Sequence, residues 1–313
     1  MIKTGFSGKF RLEVRNVHTH QITKVREFNN TITDAGLNGY GKGTANLLGR
    51  CMVGAGTSIA STTATGMGSV IASVNGAGSG QVQLLAPVEP EWSAGVKLKY
   101  RFEAGSITTP ISEIGICNRK DHGATDFVLW SRTLITDANG TPTSLTILAD
   151  EYLDVYYILN LHLDLTDKAS SFDLNGVNYN YTARAAMVQS SLVNVADGNL
   201  HFANGITIKN VFNGNTLGQI TESIREYTKS ANPSCSVSLS PYIDGTFQRD
   251  CIAEIATGNG NIDGGILGLE IGPNGNGNQL HVYSQIALDK AIPKDSSKSI
   301  KFTLRSSWGR YTA

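Results

Sequence analysis

Residues 97–163 read KLKYRFEAGSITTPISEIGICNRKDHGATDFVLWSRTLITDANGTPTSLTILADEYLDVYYILNLHL. Within them KLKYRF, ISEIGI, FVLWSRTL, SLTILA and YLDVYYILNLHL each fit the period-two template of a strand better than the helical repeat of about 3.6 residues. Between these runs stand Glu-Ala-Gly-Ser, Asp-His-Gly-Ala and Asp-Ala-Asn-Gly. Asn and Gly tolerate the positive φ that tight hairpin turns require. The stretch therefore predicts antiparallel strands joined by short turns, the core of an all-β structure.

Working outward toward the N-terminus, FRLEVRNV (10–17) and QITKVREF (21–28) read as a first hairpin. Next, Asp34 is placed to cap a short helical turn over 35–37, and the glycines at 36, 39, 41 and 43 predict irregular backbone beyond it. ANLLGRCMV (45–53) fits a short helix with Leu47, Leu48 and Cys51 on one side. Residues 54–80 shift to Gly, Ala, Ser and Thr with almost no charge. Such a segment buries too little apolar area to offset its own ordering entropy. It reads as a long loop or arm ordered by a neighbouring subunit, protease-sensitive in the free protein and protected in an assembly.

Toward the C-terminus, FDLNGVNYNYTARAAMVQ carries Asn175-Gly176 at a predicted tight turn, and NLHFANGITIKNVF carries Asn204-Gly205. Residues 216–230 are the best helix candidate. Thr216 and Gln219 form a capping-box pair, and Leu217, Ile220, Ile224 and Tyr227 form an apolar stripe that ends before Pro233. An echo of the opening stretch follows. Residues 249–272 parallel 96–115, both approaching Glu-Ile-Gly, and Tyr283-Ser284-Gln285 matches Trp130-Ser131-Arg132. The expected fold is mainly β: two tandem antiparallel β-sandwich (jelly-roll-like) modules with one or two short helices. The N-terminal module covers 1–165 with the 54–80 arm, and the C-terminal module covers 166–313 with the 216–230 helix.

With 26 basic and 26 acidic residues the formal net charge is zero, and charged residues make up 17% of the chain against about 25% in ordinary soluble domains. A neutral chain lacks the clustered basic footprint of a nucleic-acid binder. A charge-poor surface offers little resistance to self-association. No secretory signal is expected from MIKTGFSGKF, nor membrane insertion, because no run of about 18 apolar residues occurs. Cys51, Cys117, Cys235 and Cys251 are scattered without metal-ligand or redox spacing and read as buried or half-buried thiols of a protein folded in a reducing cytoplasm.

The search for chemistry yields weak candidates. GLNGYGKG (36–43) satisfies G-x-x-x-x-G-K, but Gly43 stands where a Ser or Thr should ligate magnesium, so no nucleotide site is expected. GPNGNGN (272–278) reads as a hairpin loop. His18 and His20 fall on one face of a strand without a third ligand nearby. Asp150, Glu151 and Asp154 are the only carboxylate cluster that invites a glycosidase reading. Trp92, Trp130 and Trp308 would be the aromatics of a sugar-stacking surface, with core packing the default for Trp130. No catalytic, metal or cofactor residue is assigned.

The pattern EIGICN…FVLWSRTL…SLTILADEYLDVYYIL, the ending GGILGLEIG…SQIALDKAIPKDSSKSIKFTLRSSWGR, and Asn30-Thr31-Ile32-Thr33-Asp34-Ala35-Gly36-Leu37 after the first hairpin are similar to an arrangement in structural proteins of tailed bacteriophages. That resemblance implies a non-enzymatic virion component of tail, collar, baseplate or fibre type. It would assemble in the host cytoplasm as a homo-oligomer and contact other virion proteins. Two further readings stay open: a host-surface or glycan-binding adhesin, and a β-sandwich enzyme that degrades polysaccharide.

Overall fold

A computed structural model describes residues 2–76, 83–88, 93–186, 200, 202, 205–220, 222, 224–274 and 284–311. The first half runs β1 (Ile2–Asn16), β2 (Ile22–Asn29), β3 (Thr31–Ile32), α1 (Asp34–Lys42), β4 (Arg50–Gly54), β5 (Val70–Asn75), β6 (Gln83–Val88), β7 (Ser93–Phe102), β8 (Glu113–Cys117), β9 (Leu129–Leu134) and β10 (Glu151–Leu163). The second half runs β11 (Lys168–Leu174), β12 (Val177–Ala185), β13 (Ile206–Phe212), β14 (Ser230–Ala231), β15 (Cys235–Leu239), β16 (Gln248–Ile255), β17 (Ile266–Pro273), β18 (Ser284–Ile292) and β19 (Ile300–Arg310). The protein is mainly β, as the alternating runs predict.

The strands form three sheets. A large one has the order β15-β16-β19-β1-β10-β7-β6, with β2 also paired to β1. A five-stranded sheet (β3-β9-β8-β4-β5) and a six-stranded sheet (β11-β12-β18-β17-β13-β14) complete the set. The large sheet is antiparallel except where Ile2–Phe6 of β1 run parallel to Ser306–Arg310 of β19. The division between 1–165 and 166–313 therefore crosses one continuous sheet, and buried side chains from both halves join one apolar cluster.

Alternation explains the layers. On β1 the even residues Phe6, Phe10, Leu12 and Val14 point inward, as do Leu153, Val155, Tyr157, Leu159 and Leu161 of β10. They meet Trp130, Ile114, Ile116 and Val53 of the five-stranded sheet. Trp130 Nε1 donates to the Tyr157 hydroxyl across this interface at 2.7 Å, and the Tyr100 hydroxyl donates to the Leu48 carbonyl at 2.6 Å. Such bonds satisfy the polar tips of aromatic groups that are otherwise fully buried. On the other side Phe172 of β11 meets Phe302 of β19 edge-on, with ring centroids 6.5 Å apart.

The echo between the halves is a topological one. β7 and β10 are antiparallel neighbours in the large sheet, with β8 and β9 paired in the five-stranded sheet between them in sequence. β16 and β19 repeat the first relation, and β17 and β18 the second in the six-stranded sheet. The spatial order β3-β9-β8-β4-β5 matches β12-β18-β17-β13-β14 strand for strand. Asn175 and Gly176 both take positive φ, 53° and 78°, so the β11–β12 turn is of the predicted kind.

Four local expectations are corrected. First, 216–230 holds no helix among its described residues. The Gln285 amide donates to the carbonyls of Gln219 and Glu222, and the Asn213 carboxamide accepts from the amides of Thr228 and Lys229. A helix would need those backbone groups for its own ladder. Second, α1 is a full helix of 9 residues, and its N-cap is Thr33, whose hydroxyl accepts from Gly36 N. Asp34 instead occupies the first turn, where a carboxylate suits the helix dipole. The glycine at 36 serves packing, since a Cβ there would lie 2.6 Å from the Trp130 carbonyl oxygen. Third, 45–53 forms a turn leading into β4 rather than a helix, and SLTILA contributes only the isolated bridge Ile111–Leu145.

The fourth concerns the arm. Residues 54–76 fold back onto their own chain and contribute β5, while 77–80 lie outside the described residues. A neighbouring subunit is not needed to order them, because a buried carboxylate does so.

Candidate functional site

That carboxylate is Glu113, at the start of β8 and fully buried. Its Oε1 accepts from the amides of Gly56 (3.0 Å) and Ser69 (2.8 Å). Its Oε2 accepts from the amide of Gly68 at 3.2 Å and from Arg132 Nε at 2.7 Å. Burial pushes the Glu113 carboxyl up, but the amides of Ser69 and Gly68 together with Arg132 outweigh it and hold the group below the usual carboxylate range. Gly56 has no alternative here, since a Cβ would fall 2.4 Å from Glu113 Oε1. The composition of 54–76 thus becomes intelligible: backbone amides, not side chains, are what the loop supplies.

Arg132, itself 5% exposed, ties the same loop from the next strand. Its Nη2 donates to the Ser58 carbonyl and hydroxyl, both at 3.0 Å. The loop is also fixed by Asp34 N donating to the Thr62 carbonyl (2.7 Å) and by Met67 N donating to His122 Nε2 (3.2 Å). Together the loop, the β8–β9 connection and Arg132 line an open depression in the surface. A buried ion pair saturated by backbone amides fixes the loop against β8 and β9.

The sequence candidates are dispersed. Glu151 and Asp154 point to opposite faces of β10, as a three-residue separation in a strand requires. Glu151 accepts from the Thr23 hydroxyl at 2.6 Å and from Lys24 Nζ at 2.9 Å. Asp154 lies on the outer face of the large sheet, 1% exposed, with Arg101 Nε at 2.7 Å and Lys99 Nζ at 2.9 Å. For both, burial pushes the carboxyl up and the hydrogen-bonded partners outweigh it, so both stay ionised. Neither is poised to serve as a general acid. Asp150 is exposed and accepts from Asn16 Nδ2 at 2.9 Å. The three do not converge on a cleft.

His18 and His20 stand in the β1–β2 turn, not on a strand face, and His20 has φ 57°. Lys42 of GLNGYGKG pairs with Asp244 at 2.7 Å. Trp130 is fully buried and Trp308 is 4% exposed, the latter donating to the Leu37 carbonyl at 3.0 Å and packed against Tyr40 and Phe202. Trp92, Asn204, Gly275, Gly277 and Tyr283 lie outside the described residues. All four cysteines are free thiols, with Cys51, Cys117 and Cys251 buried and Cys235 half-buried. Among the described residues no group of three His, Cys, Asp or Glu side chains could hold a metal ion, and no helix is long and apolar enough to cross a membrane.

Sequence reasoning named Glu113 and Arg132 only as parts of the Glu-Ile-Gly and Trp-Ser-Arg echo. A signal was present: two ionisable residues inside otherwise apolar strands, facing a segment made almost wholly of Gly, Ala, Ser and Thr.

No protein-family model matches the chain, and no curated protein or solved structure is detectably similar to it.

Proposed function

We propose that the chain is a non-enzymatic structural component of a tailed bacteriophage virion. It assembles in the host cytoplasm with copies of itself and with other virion proteins. One observation carries this reading: several of the residues behind the resemblance to such proteins are engaged in holding the scaffold. Asn30 Nδ2 donates to the Tyr157 hydroxyl, the same hydroxyl that receives Trp130. Ile32 and Leu37 are buried, Thr33 caps α1, and Gly36 lets the helix touch the Trp130 backbone. Glu113 and Arg132, from EIGICN and FVLWSRTL, anchor the loop. A motif whose polar groups are used internally specifies architecture, and repetition of that architecture suits a building block.

Support for the other two readings is weaker. Trp130 and Trp308 are buried, so neither belongs to a sugar-stacking surface, and the carboxylates at 150, 151 and 154 stand apart. The test is sedimentation velocity across a hundredfold concentration range, followed by mass spectrometry of purified particles. A closed homo-oligomer and recovery of the chain from particles are expected. A strict monomer at every concentration, absent from particles, would overturn the proposal.

A further inference from the structure

The depression under the β4–β5 loop has a polar wall. Ser58, Ser61, Thr63 and Thr65 line it from the loop, His122 and Phe127 line it from the β8–β9 connection, and Arg132 also lines it. Among these described lining residues none is Asp or Glu. Arg132 commits Nε to Glu113 and Nη2 to Ser58, which leaves Nη1 with no hydrogen-bond partner among the described residues. Glu113 is saturated by three amides and Arg132 Nε, so it has no oxygen to spare for that donor.

The second half of the chain shows how much of this is needed to hold a loop. Gln285 follows a buried serine as Arg132 does, but in the register that pairs Gly115 with Arg132 and Glu270 with Gln285 the place of Glu113 is held by Gly268, so no carboxylate has to be neutralised there. Gln285 is fully buried and holds the loop between β13 and β14 by accepting from Gly218 N at 2.8 Å and donating to the Gln219 and Glu222 carbonyls. A neutral carboxamide suffices there. Burying an ion pair is costly unless its geometry is fully satisfied. Arg132 neutralises Glu113 and ties Ser58, and its Nη1 is the donor left over beside the hydroxyls of the loop.

We propose that this depression binds a carboxylate-bearing ligand rich in hydroxyls, an acidic sugar unit. The carboxylate takes the charge-assisted bond from Arg132 Nη1. Ser61, Thr63 and Thr65 each donate and accept, which matches sugar hydroxyls. Phe127, packed edge-on to His122 with centroids 5.2 Å apart, offers an apolar surface for ring C–H groups. This inference stands apart from the assembly reading, because binding and oligomeric state are measured separately on the same samples.

The experiment titrates the full chain with sodium glucuronate, glucose and acetate by calorimetry and saturation-transfer NMR. Glucuronate should bind saturably, with glucose and acetate each at least tenfold weaker. Equal binding of glucose and glucuronate, or no saturable binding of glucuronate, overturns the proposal. Acetate binding as tightly as glucuronate overturns the sugar assignment. The paired substitution Glu113→Gln with Arg132→Gln copies the neutral Gln285 anchor and should abolish the glucuronate preference; unchanged binding refutes the role of Arg132. Should that variant fail to fold, Thr63→Val with Thr65→Val leaves the ion pair intact and decides the matter. At least a fivefold loss supports the site and no loss overturns it.

Discussion

Truncating Arg132 to alanine isolates the interaction that orders the β4–β5 loop. The variant leaves Glu113 fully buried with the amides of Gly56, Gly68 and Ser69 but without the cation that pairs with it. Removing one partner of a buried ion pair costs about 3–5 kcal/mol. The three surviving amides still favour the anion, which argues for the low end. The lost bonds to Ser58 add about 1 kcal/mol. The expected loss at pH 7 is therefore about 3–4 kcal/mol, and even 3 kcal/mol is more than a hundredfold in the folding equilibrium. The sign with pH is specific. In the native protein the depressed Glu113 carboxyl contributes stability above the usual carboxylate range and loses it as pH falls through its folded value. Without Arg132 that carboxyl lies higher than in the native protein, so acidification neutralises it first in the variant and the deficit shrinks. Urea unfolding at pH 7 and pH 4.5, followed by fluorescence of the buried Trp130 and Trp308, measures both quantities. A deficit below about 1 kcal/mol at pH 7, or one equal at the two pH values, would refute the reasoning. The paired Gln substitution should cost less than Arg132→Ala, because it leaves no buried charge.

Gly36→Ala sets helix propensity, worth about 1 kcal/mol in favour of alanine, against a Cβ placed 2.6 Å from a backbone oxygen of Trp130. The clash is with backbone, so a net loss of about 1–2 kcal/mol is expected, and an unchanged or raised urea midpoint would contradict the packing role. Asp154, Glu13 and Glu151 are all held low despite burial, so their stability is present above the usual range near about pH 4 and lost below it. Asp154→Asn should cost about 2 kcal/mol at pH 7 and flatten the decline in urea midpoint between pH 5 and pH 2.5; a parallel decline would count against Asp154. Burial pushes the Cys51 thiol well up and Cys117 to about 12, whereas Cys235 is only half-buried. Ellman's reagent should therefore label Cys235 first in the native protein, and equal native rates for all four thiols would overturn the burial assignment.

What was legible in the sequence was whatever the local period carries. β1, β2, β7 and β10 turn one face of the large sheet to the apolar core and set polar or half-buried residues on the other, so alternation survives in residues 10–17, 21–28, 97–102 and 152–163. The 216–230 stripe satisfied a helical period equally well. The deciding partner there is Gln285, some sixty residues away and neutral, and it takes carbonyls that a helix would have used. The α1 glycines were misread for the same reason: at Gly36 the residue reports a neighbour, the Trp130 backbone, rather than a preference of its own segment. The loop at 54–76 is the extreme case. Its own apolar content is too small to order it, and the ordering free energy comes from a carboxylate in β8 and a guanidinium in β9.

The repeat is what makes that nonlocal information recoverable. Both halves send a loop across the β8–β9 or β17–β18 pair, and both hold it with the residue after a buried serine: Arg132 after Ser131, Gln285 after Ser284. The demands differ, because in the same register Gly268 stands where Glu113 stands: Arg132 neutralises a buried carboxylate and Gln285 meets none. If anchoring were the whole role of Arg132, the paired Gln substitution would be nearly neutral for stability and without consequence for glucuronate. If the charge is there to meet a ligand, stability would be largely kept while glucuronate recognition is lost. Reading stability and glucuronate binding on the same paired variant separates neutralisation of Glu113 from recognition of a ligand as the role of Arg132.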